Sequence, residues 1–171
     1  MIFLVFLVSA FILFWFVARP LTVAFHEFGH AIPALILTKQ RVSIYIGSYG
    51  NPKNSYYFKI ARLEVWFRFN LFKQQLGLCT SSINSDNTFK KFITLICGPC
   101  ASLIIATISS YFVFYFDMHG FLKLIVLIFL LSAILDLFLN LIPNSTPIIL
   151  HNGKKTYNDG QQLKLLFRKT D

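Results

Sequence analysis

The sequence predicts a mainly α-helical membrane protein, with about four transmembrane helices and a small β-hairpin or sheet between the second and the third. Hydrophobic residues make up 56% of the 171 residues and charged residues only 13%, whereas a soluble domain carries about 25% charged residues. Long apolar runs recur along the chain, and one stretch between them alternates apolar and polar residues. We therefore expect a single multi-pass membrane domain over residues 1–171.

Four apolar runs are long enough to cross a bilayer, at about residues 2–18, 21–38, 92–116 and 120–141. A helix of about 17 residues reaches roughly 25 Å, close to the thickness of the hydrocarbon core. Arg19-Pro20 separates the first two runs, and proline is tolerated in the first turn of a helix. Residues 1–38 are therefore either two helices with a tight turn or one long kinked helix.

Residues 41–70 have the pattern of a β structure at the membrane interface. Residues 42–46 and 57–69 alternate apolar and polar groups, and the turn formers at 47–52 lie between them. This pattern predicts a hairpin or small sheet, and its aromatic and basic residues suit the lipid headgroup zone. The polar tail at 142–171 follows the last span, with a short amphipathic basic helix expected near its end.

The basic residues favour a membrane topology rather than a nucleic-acid partner. The net charge is +9, yet the Lys and Arg residues lie between apolar spans and form no nucleic-acid-binding motif. The positive-inside rule places residues 39–91 and the C-terminal tail in the cytoplasm, and we expect a bacterial cell membrane. The basic residues on that side are Lys39, Arg41, Lys53, Lys59, Arg62, Arg68, Lys73, Lys90, Lys91, Lys154, Lys155, Lys164, Arg168 and Lys169.

A candidate zinc motif, His26-Glu27-Phe28-Gly29-His30, lies inside the second apolar run. In an H-E-x-x-H sequence on a helix, the two histidines lie about 40° apart around the axis and roughly 6 Å along it, so both can bind one zinc ion. The intervening Glu27 can then act as general base on a water molecule that the metal activates. Ionisable residues within a spanning helix are costly and usually functional. The alternative is a polar patch satisfied by neighbouring helices.

A catalytic zinc ion takes three protein ligands, and the residues alone leave the third one open. Asp136 lies in the last span, one turn before Asn140, and can face the site. Glu64 lies in the alternating basic segment, where we expect it to pair with Arg62 or Arg68. The four candidates for the third ligand are Glu64, Asp136, His151 and Asp159.

Four features in order along the chain resemble the site-2 protease family of intramembrane zinc metalloproteases. The first two are the zinc motif at 26–30 and the following β segment with Gly47. The third is the stretch from Gly98 to Ser102, which resembles the family's G-P-x-x-N element, with Ser102 in place of Asn. The fourth, the N-x-x-P…D-G element, is matched by residues 140–143 and then 158–160. The resemblance covers roughly residues 20–165.

The resemblance implies that Asp159 completes a site for one zinc ion with His26 and His30. The stretch between Pro143 and Asp159 is polar and longer than in many members of the family. The tail must therefore fold back into a protein-lined, water-filled cavity, because irregular backbone at membrane depth needs such surroundings. Asn140 and Asn158 would then bond ligand carboxylates or the substrate backbone.

The expected function is a zinc-dependent endopeptidase that cleaves a membrane-embedded or membrane-adjacent peptide, with lipid as the surrounding partner. Residues 39–73 provide either an edge for strand addition by an unwound substrate or an interfacial anchor. The alternatives are an inactive zinc-binding scaffold, a metal-ion carrier, or a different membrane zincin that uses Glu64 as ligand. The sequence predicts no particular oligomeric state and no substrate sequence.

Overall fold

The computed structural model describes residues 2–68, 76–81 and 87–168 and is mainly helical. Residues 69–70 of the predicted interfacial segment, Lys73 and the last three residues of the tail lie outside the described residues. The helices are α1 (Ile2–Leu13), α2 (Arg19–Leu37), α3 (Thr88–Tyr115), α4 (Gly120–Leu141) and α5 (Asp159–Arg168), with a π-helical turn at Phe14–Ala18 between α1 and α2.

Among the described residues, three helical segments, rather than the four predicted, are long and apolar enough to cross a membrane: Phe3–Leu37, Thr88–Tyr115 and Gly120–Leu141. The four-span prediction is not confirmed, because Arg19-Pro20 does not separate two helices. Proline lacks the N–H that would bond four residues back. The π-helical turn ends at Ala18, two residues before Pro20, and the N–H of the intervening Arg19 bonds to the Phe14 carbonyl. The wider turn therefore accommodates the proline within a continuous helical segment.

The outer faces of these helices expose many large apolar side chains. On α2, Phe25, Ile32 and Ile36 are 52%, 58% and 77% exposed, and α3 and α4 expose further Leu, Ile and Phe residues. A soluble monomer rarely leaves so much contiguous apolar surface in water. The chain is therefore a membrane protein whose helices present these faces to lipid.

The three long segments pack around small residues. α3 contacts both α2 and α4. A side chain at Gly29 of α2 would overlap the Cys97 carbonyl and Ala101 of α3, so glycine permits the close approach. Between α3 and α4 the buried core contains Ala106, Val113, Leu130 and Ala133. Small side chains at helix contacts are typical of helix packing in membranes.

A four-stranded sheet lies against the C-terminal half of α2. Its strands are β1 (Val42–Ile46), β2 (Tyr56–Ile60), β3 (Leu63–Phe67) and β4 (Gly77–Ser81), in the order β2-β3-β1-β4. β1 is parallel to β3 and antiparallel to β4, while β2 is antiparallel to β3. The alternate residues Val42, Ile44 and Ile46 of β1 are buried against Ala31 and Ala34 of α2.

The small sheet is confirmed, whereas the alternative of a single hairpin is wrong. β1 does not pair with the strand that follows it, and the alternating stretch at 57–69 is divided into β2 and β3 by a turn at residues 61–62. Ala61 has a φ of 51°, a conformation that alanine seldom adopts, so the sequence gives no turn signal there. β4 was not predicted either.

The tail returns to the rest of the molecule rather than extending away from it. Two short strands, β5 (Ile148–Ile149) and β6 (Lys155–Thr156), pair antiparallel. The backbone N–H of His151, in the turn between them, donates a 2.9 Å hydrogen bond to the Tyr49 carbonyl beyond β1. α5 then packs against α3 and α4, and it confirms the predicted amphipathic helix.

Candidate metal centre

His26, Glu27 and His30 lie together on the buried face of α2, where they are 2%, 7% and 7% exposed. The Nε2 atoms of the two histidines are 3.1 Å apart, as the spacing of the motif predicts. His30 lies seven residues before Leu37, the last residue of α2, which places it roughly 10 Å from that end of the helix. The motif is therefore within the membrane-spanning segment.

Asp159 completes the group. Its Oδ2 atom lies 2.9 Å from Nε2 of His26 and 3.2 Å from Nε2 of His30. Asp159 is 8% exposed, so the tail folds back to bury this carboxylate at the histidines. Among the described residues, these three form the group of side chains that could hold a metal ion.

Two neighbours of Asp159 position it. Asn158 donates hydrogen bonds to the carbonyls of Leu139 and Ile142, where α4 ends, and its Oδ1 accepts from the N–H of Gln161 in the first turn of α5. Asn158 therefore ties the two helix ends together and caps α5. On the other side, a Cβ atom at Gly160 would overlap the Leu141 carbonyl. Glycine is required for this close approach, which brings Asp159 to the histidines.

The second ring nitrogen of each histidine has a partner that fixes the ring. Nδ1 of His30 lies 2.7 Å from the Thr94 carbonyl, so this nitrogen carries the ring proton and donates a hydrogen bond to the carbonyl. A Cβ atom at Gly98 would overlap the His30 ring, so α3 leaves room for the imidazole there. Nδ1 of His26 lies 3.0 Å from Ser102 Oγ and 3.1 Å from Asp136 Oδ2. Both neutral rings therefore present an unprotonated Nε2 to the same point.

This set of donors fits a divalent cation. Two ring nitrogens and a carboxylate oxygen meet at separations of 2.9–3.2 Å, which is repulsive unless protons or a metal cation lie among them. Tetrahedral ligands at about 2.0–2.2 Å from zinc would lie roughly 3.3–3.6 Å apart, only slightly farther than these separations. Three buried carboxylates (Glu27, Asp136, Asp159) and the one guanidinium of Arg19 give the cluster a formal charge of −2, which a divalent ion balances.

A cavity of about 660 Å³ opens onto the group. Glu27 lines it beside His26, His30 and Asp159, and the Glu27 carboxylate lies against Gly77, where a Cβ atom would overlap it. The residues of β4 form one wall, and residues 155–159 with part of α5 form another. Glu27 and the three donors therefore line the same cavity, which is large enough to hold water molecules beside them.

The charges around the cavity differ in their effect on the pKa values of Asp159 and Cys79, two titratable groups that lie outside the spans. Burial alone would raise the pKa of Asp159, but positive charge on His30 and His26, whose place a bound metal ion would take, lowers that pKa well below its usual value. The carboxylate is therefore ionised, as a metal ligand must be. Burial, with the charges of Glu27 and Asp159, raises the pKa of the Cys79 thiol well above its usual value. Cys79 on β4 thus remains a neutral thiol in the cavity wall.

The other candidate ligands lie elsewhere. Asp136 contacts the Nδ1 side of His26, facing away from the point where the donors meet. Glu64 on β3 lies 3.7 Å from both Arg41 and Lys59, so its expected pairing with Arg62 or Arg68 is wrong. Arg62 instead donates to the carbonyls of Leu35 and Thr38. His151 is exposed in the turn between β5 and β6.

The two asparagines have different surroundings. Asn140 lines the cavity and donates a 3.1 Å hydrogen bond to the Asp136 carbonyl, so its predicted contact with substrate stays a prediction. The side chain of Asn158 bonds to backbone groups of α4, α5 and Asn144 instead of to a carboxylate. Its contribution to the site is the placement of Asp159.

Sequence reasoning missed Arg19 and β4. Arg19 is 3% exposed and lies 3.6 Å from Asp136, although the sequence interpretation treated it only as a break between helices. A charged residue flanked on both sides by apolar spans was the signal that could have identified it. The short, weakly alternating sequence of β4 carries no comparable signal.

No protein-family model, curated protein or solved structure matches this chain.

Proposed function

We propose that this protein is a zinc-dependent intramembrane endopeptidase. The observation that carries the proposal is the meeting of His26 Nε2, His30 Nε2 and Asp159 Oδ2 beside Glu27, in a cavity at membrane depth. Two imidazoles and one carboxylate are the ligand set of many catalytic zinc sites, and a metal site without catalysis would not require the adjacent Glu27.

His26, His30 and Asp159 would hold the zinc ion. When bound, zinc supplies Lewis acidity, which polarises the scissile carbonyl and activates a water molecule for attack. The Thr94 carbonyl holds the proton of His30 on Nδ1, and the Ser102 and Asp136 side chains do the same for His26. Both Nε2 atoms therefore stay available to the metal.

Glu27 moves the proton. Its carboxylate accepts a proton from the attacking water while the water oxygen forms a bond to the carbonyl carbon of the peptide. The same carboxylate then delivers the proton to the departing amide nitrogen as the C–N bond breaks. The close approach of Gly77 keeps the Glu27 carboxylate at the cavity wall, within the path of a peptide that lies along β4.

The substrate would lie along β4 as an additional strand. The sequence predicts either a docking edge or an interfacial anchor within residues 39–73, whereas the strand that lines the cavity is β4, at 77–81. β4 is the last strand in the sheet order, and within the described residues no strand pairs with its outer side. A transmembrane helix that unwinds at the site would gain hydrogen-bond partners there for its released backbone groups.

The same arrangement favours a particular orientation in the membrane. The sheet with its connecting residues, the first turn of α3 and the tail carry most of the basic residues, so the positive-inside rule places them in the cytoplasm of a bacterial cell. With three spans, residue 2 then lies on the opposite side. The order of motifs that resembles the site-2 protease family supports the same assignment, and the cavity would open toward the cytoplasmic leaflet.

The chief alternatives fit less well. A zincin with Glu64 as its ligand is disfavoured because Glu64 lies on β3 between Arg41 and Lys59. A zinc-binding scaffold would not need a carboxylate beside an open cavity. Glu27→Gln is therefore the variant that distinguishes a protease from an inactive zinc-binding scaffold.

Glu27→Gln should abolish cleavage while leaving zinc binding intact. Loss of a general base lowers the rate by about 10²–10⁴-fold, whereas the zinc ligands are unchanged. The measurement uses the wild type and the variant in liposomes with a mixed set of labelled single-span peptides, with cleavage followed by mass spectrometry and zinc content by elemental analysis. Glu64→Gln is the matched control and should cleave like the wild type. Equal cleavage by the wild type and Glu27→Gln would refute the proposal.

A further inference from the structure

An arginine and an aspartate are buried together inside the spanning helices, next to the metal centre. Arg19 on α2 is 3% exposed and Asp136 on α4 is 2% exposed. Nη1 of Arg19 lies 3.6 Å from Oδ1 of Asp136 and donates a 3.3 Å hydrogen bond to the Ser132 carbonyl. Because intramembrane charges are costly and usually functional, the pair points to a role beyond helix packing.

The two oxygens of Asp136 face different partners. Oδ1 faces the Arg19 guanidinium, whereas Oδ2 lies 3.1 Å from Nδ1 of His26 and accepts a 2.7 Å hydrogen bond from Ser102 Oγ. Ser102 Oγ is also 3.0 Å from Nδ1 of His26. Asp136 therefore connects a fixed positive charge on one side to a metal-binding imidazole on the other.

A hydrogen bond between α2 and α4 fixes the two helices relative to each other near the Arg19–Asp136 pair. Thr22 and Ser132 share a 2.8 Å hydrogen bond between α2 and α4, one turn from Arg19 and Asp136 respectively. Arg19 and His26 lie about two helical turns apart on the same face of α2. The guanidinium and the imidazole can therefore both reach the one carboxylate that α4 inserts between them.

We propose that Arg19 and Asp136 are positioning residues for the metal: Arg19 orients the Asp136 carboxylate, which holds His26 with Nε2 directed at the ion. This inference rests on the proposed zinc site. The hydrogen bond from Nδ1 fixes both the tautomer and the rotation of the ring, and such outer partners typically change metal affinity by about 10–100-fold. Arg19 acts on the metal through Asp136 alone.

The test is a double-mutant cycle on zinc affinity. Full-length protein in detergent micelles, stripped of metal, is titrated with zinc against a competing coloured chelator. Asp136→Asn should weaken zinc binding by about 10–100-fold. Arg19→Met should weaken it in the wild-type background and cause no further loss in the Asp136→Asn background, because the two residues act in series.

Two further measurements separate positioning from a general structural role. The cobalt-substituted protein should show shifted d–d absorption bands in Asp136→Asn, because the field at the metal depends on the His26 ring. Glu64→Gln, which removes a paired carboxylate away from the cavity, should leave both the zinc affinity and the cobalt spectrum unchanged. Unchanged zinc affinity in Asp136→Asn, or additive losses in the double variant, would overturn the inference.

Ser102→Ala provides a route that leaves the buried charges in place, should a charge variant fail to fold. It removes one of the two Nδ1 partners of His26, so it should weaken zinc binding less than Asp136→Asn does. Ser109→Ala, at another buried serine of α3, is its matched control and should bind like the wild type. Equal zinc affinity of Ser102→Ala and Ser109→Ala would contradict the inference. A wild type that binds zinc but cleaves no peptide would defeat the proposed protease while leaving this inference intact.

Discussion

The third ligand is the residue on which the proposed zinc site depends most. Asp159→Asn should reduce bound zinc strongly, because a neutral amide replaces the ionised carboxylate that lies 2.9 and 3.2 Å from the two Nε2 atoms. Glu64→Gln should keep full zinc occupancy. Elemental analysis of the two purified variants measures the difference. The opposite pattern, with zinc lost from Glu64→Gln, would instead support a zincin with its ligand on the sheet.

At the residue scale, the sequence could predict groups whose chemistry depends on local spacing. His26, Glu27 and His30 share one helical face by periodicity alone, and the structure places them there. Asp159 is distant in sequence, so only its resemblance to a known motif singled it out from three other candidates. The placement of Asp136 behind His26, and of Arg19 behind Asp136, depends on how α2 and α4 pack together, which no local pattern encodes.

Among the elements, β4 can be tested as the substrate-binding edge. The Gly47 N–H bonds to the Leu76 carbonyl, so by the alternation of an antiparallel ladder the N–H of Ser81 points away from β1. Ser81→Pro should therefore lower cleavage but preserve zinc binding, since proline is tolerated on an edge strand and removes only an outward donor. Peptide cleavage and zinc content are measured together.

Ser81→Ala is the matched control for that variant. It removes the hydroxyl but keeps the N–H, so it should cleave like the wild type. If Ser81→Pro also cleaves like the wild type, the substrate does not bond to this part of β4. The proposed docking edge would then be wrong, while the metal centre would be unaffected.

Long apolar helices were predictable as elements, and strand pairing was not. α4 lies at 120–141 and α3 begins only four residues before the predicted span, because runs of Leu, Ile and Phe define helices that must cross lipid. The alternating stretch at 57–69 is divided at Ala61, which is not a typical turn residue. The parallel pairing of β1 with β3 depends on contacts between residues that are distant in sequence, which a local pattern does not encode. The continuity of residues 2–37 depends on a π-helical turn, which absorbs the effect of Pro20.

For the molecule as a whole, zinc should act as a clamp between distant parts of the chain. His26 and Asp159 are 133 residues apart in sequence, and they join the long N-terminal segment to α5. A ligand that binds only the folded chain stabilises it by about 4 kcal/mol at a thousandfold excess over its dissociation constant. Chelation should therefore lower the unfolding temperature in micelles, as a thermal scan measures. Asp159→Asn should not respond to the chelator, and a wild type that does not respond either would contradict the clamp.

The length of the first helical segment has a consequence for the membrane itself. The 35 residues of Phe3–Leu37 make a rod of roughly 52 Å, whereas the hydrocarbon core is about 30 Å thick. Spanning helices tilt by at most about 40°, which accommodates only roughly 39 Å of helix. Because polar residues 38–41 directly follow Leu37, the excess apolar turns are those at the other end, in α1. We expect them to bend along the headgroups at the π-helical turn or to make the surrounding bilayer locally thicker. The acyl-chain length of the lipid should therefore influence how this helical segment tilts and bends.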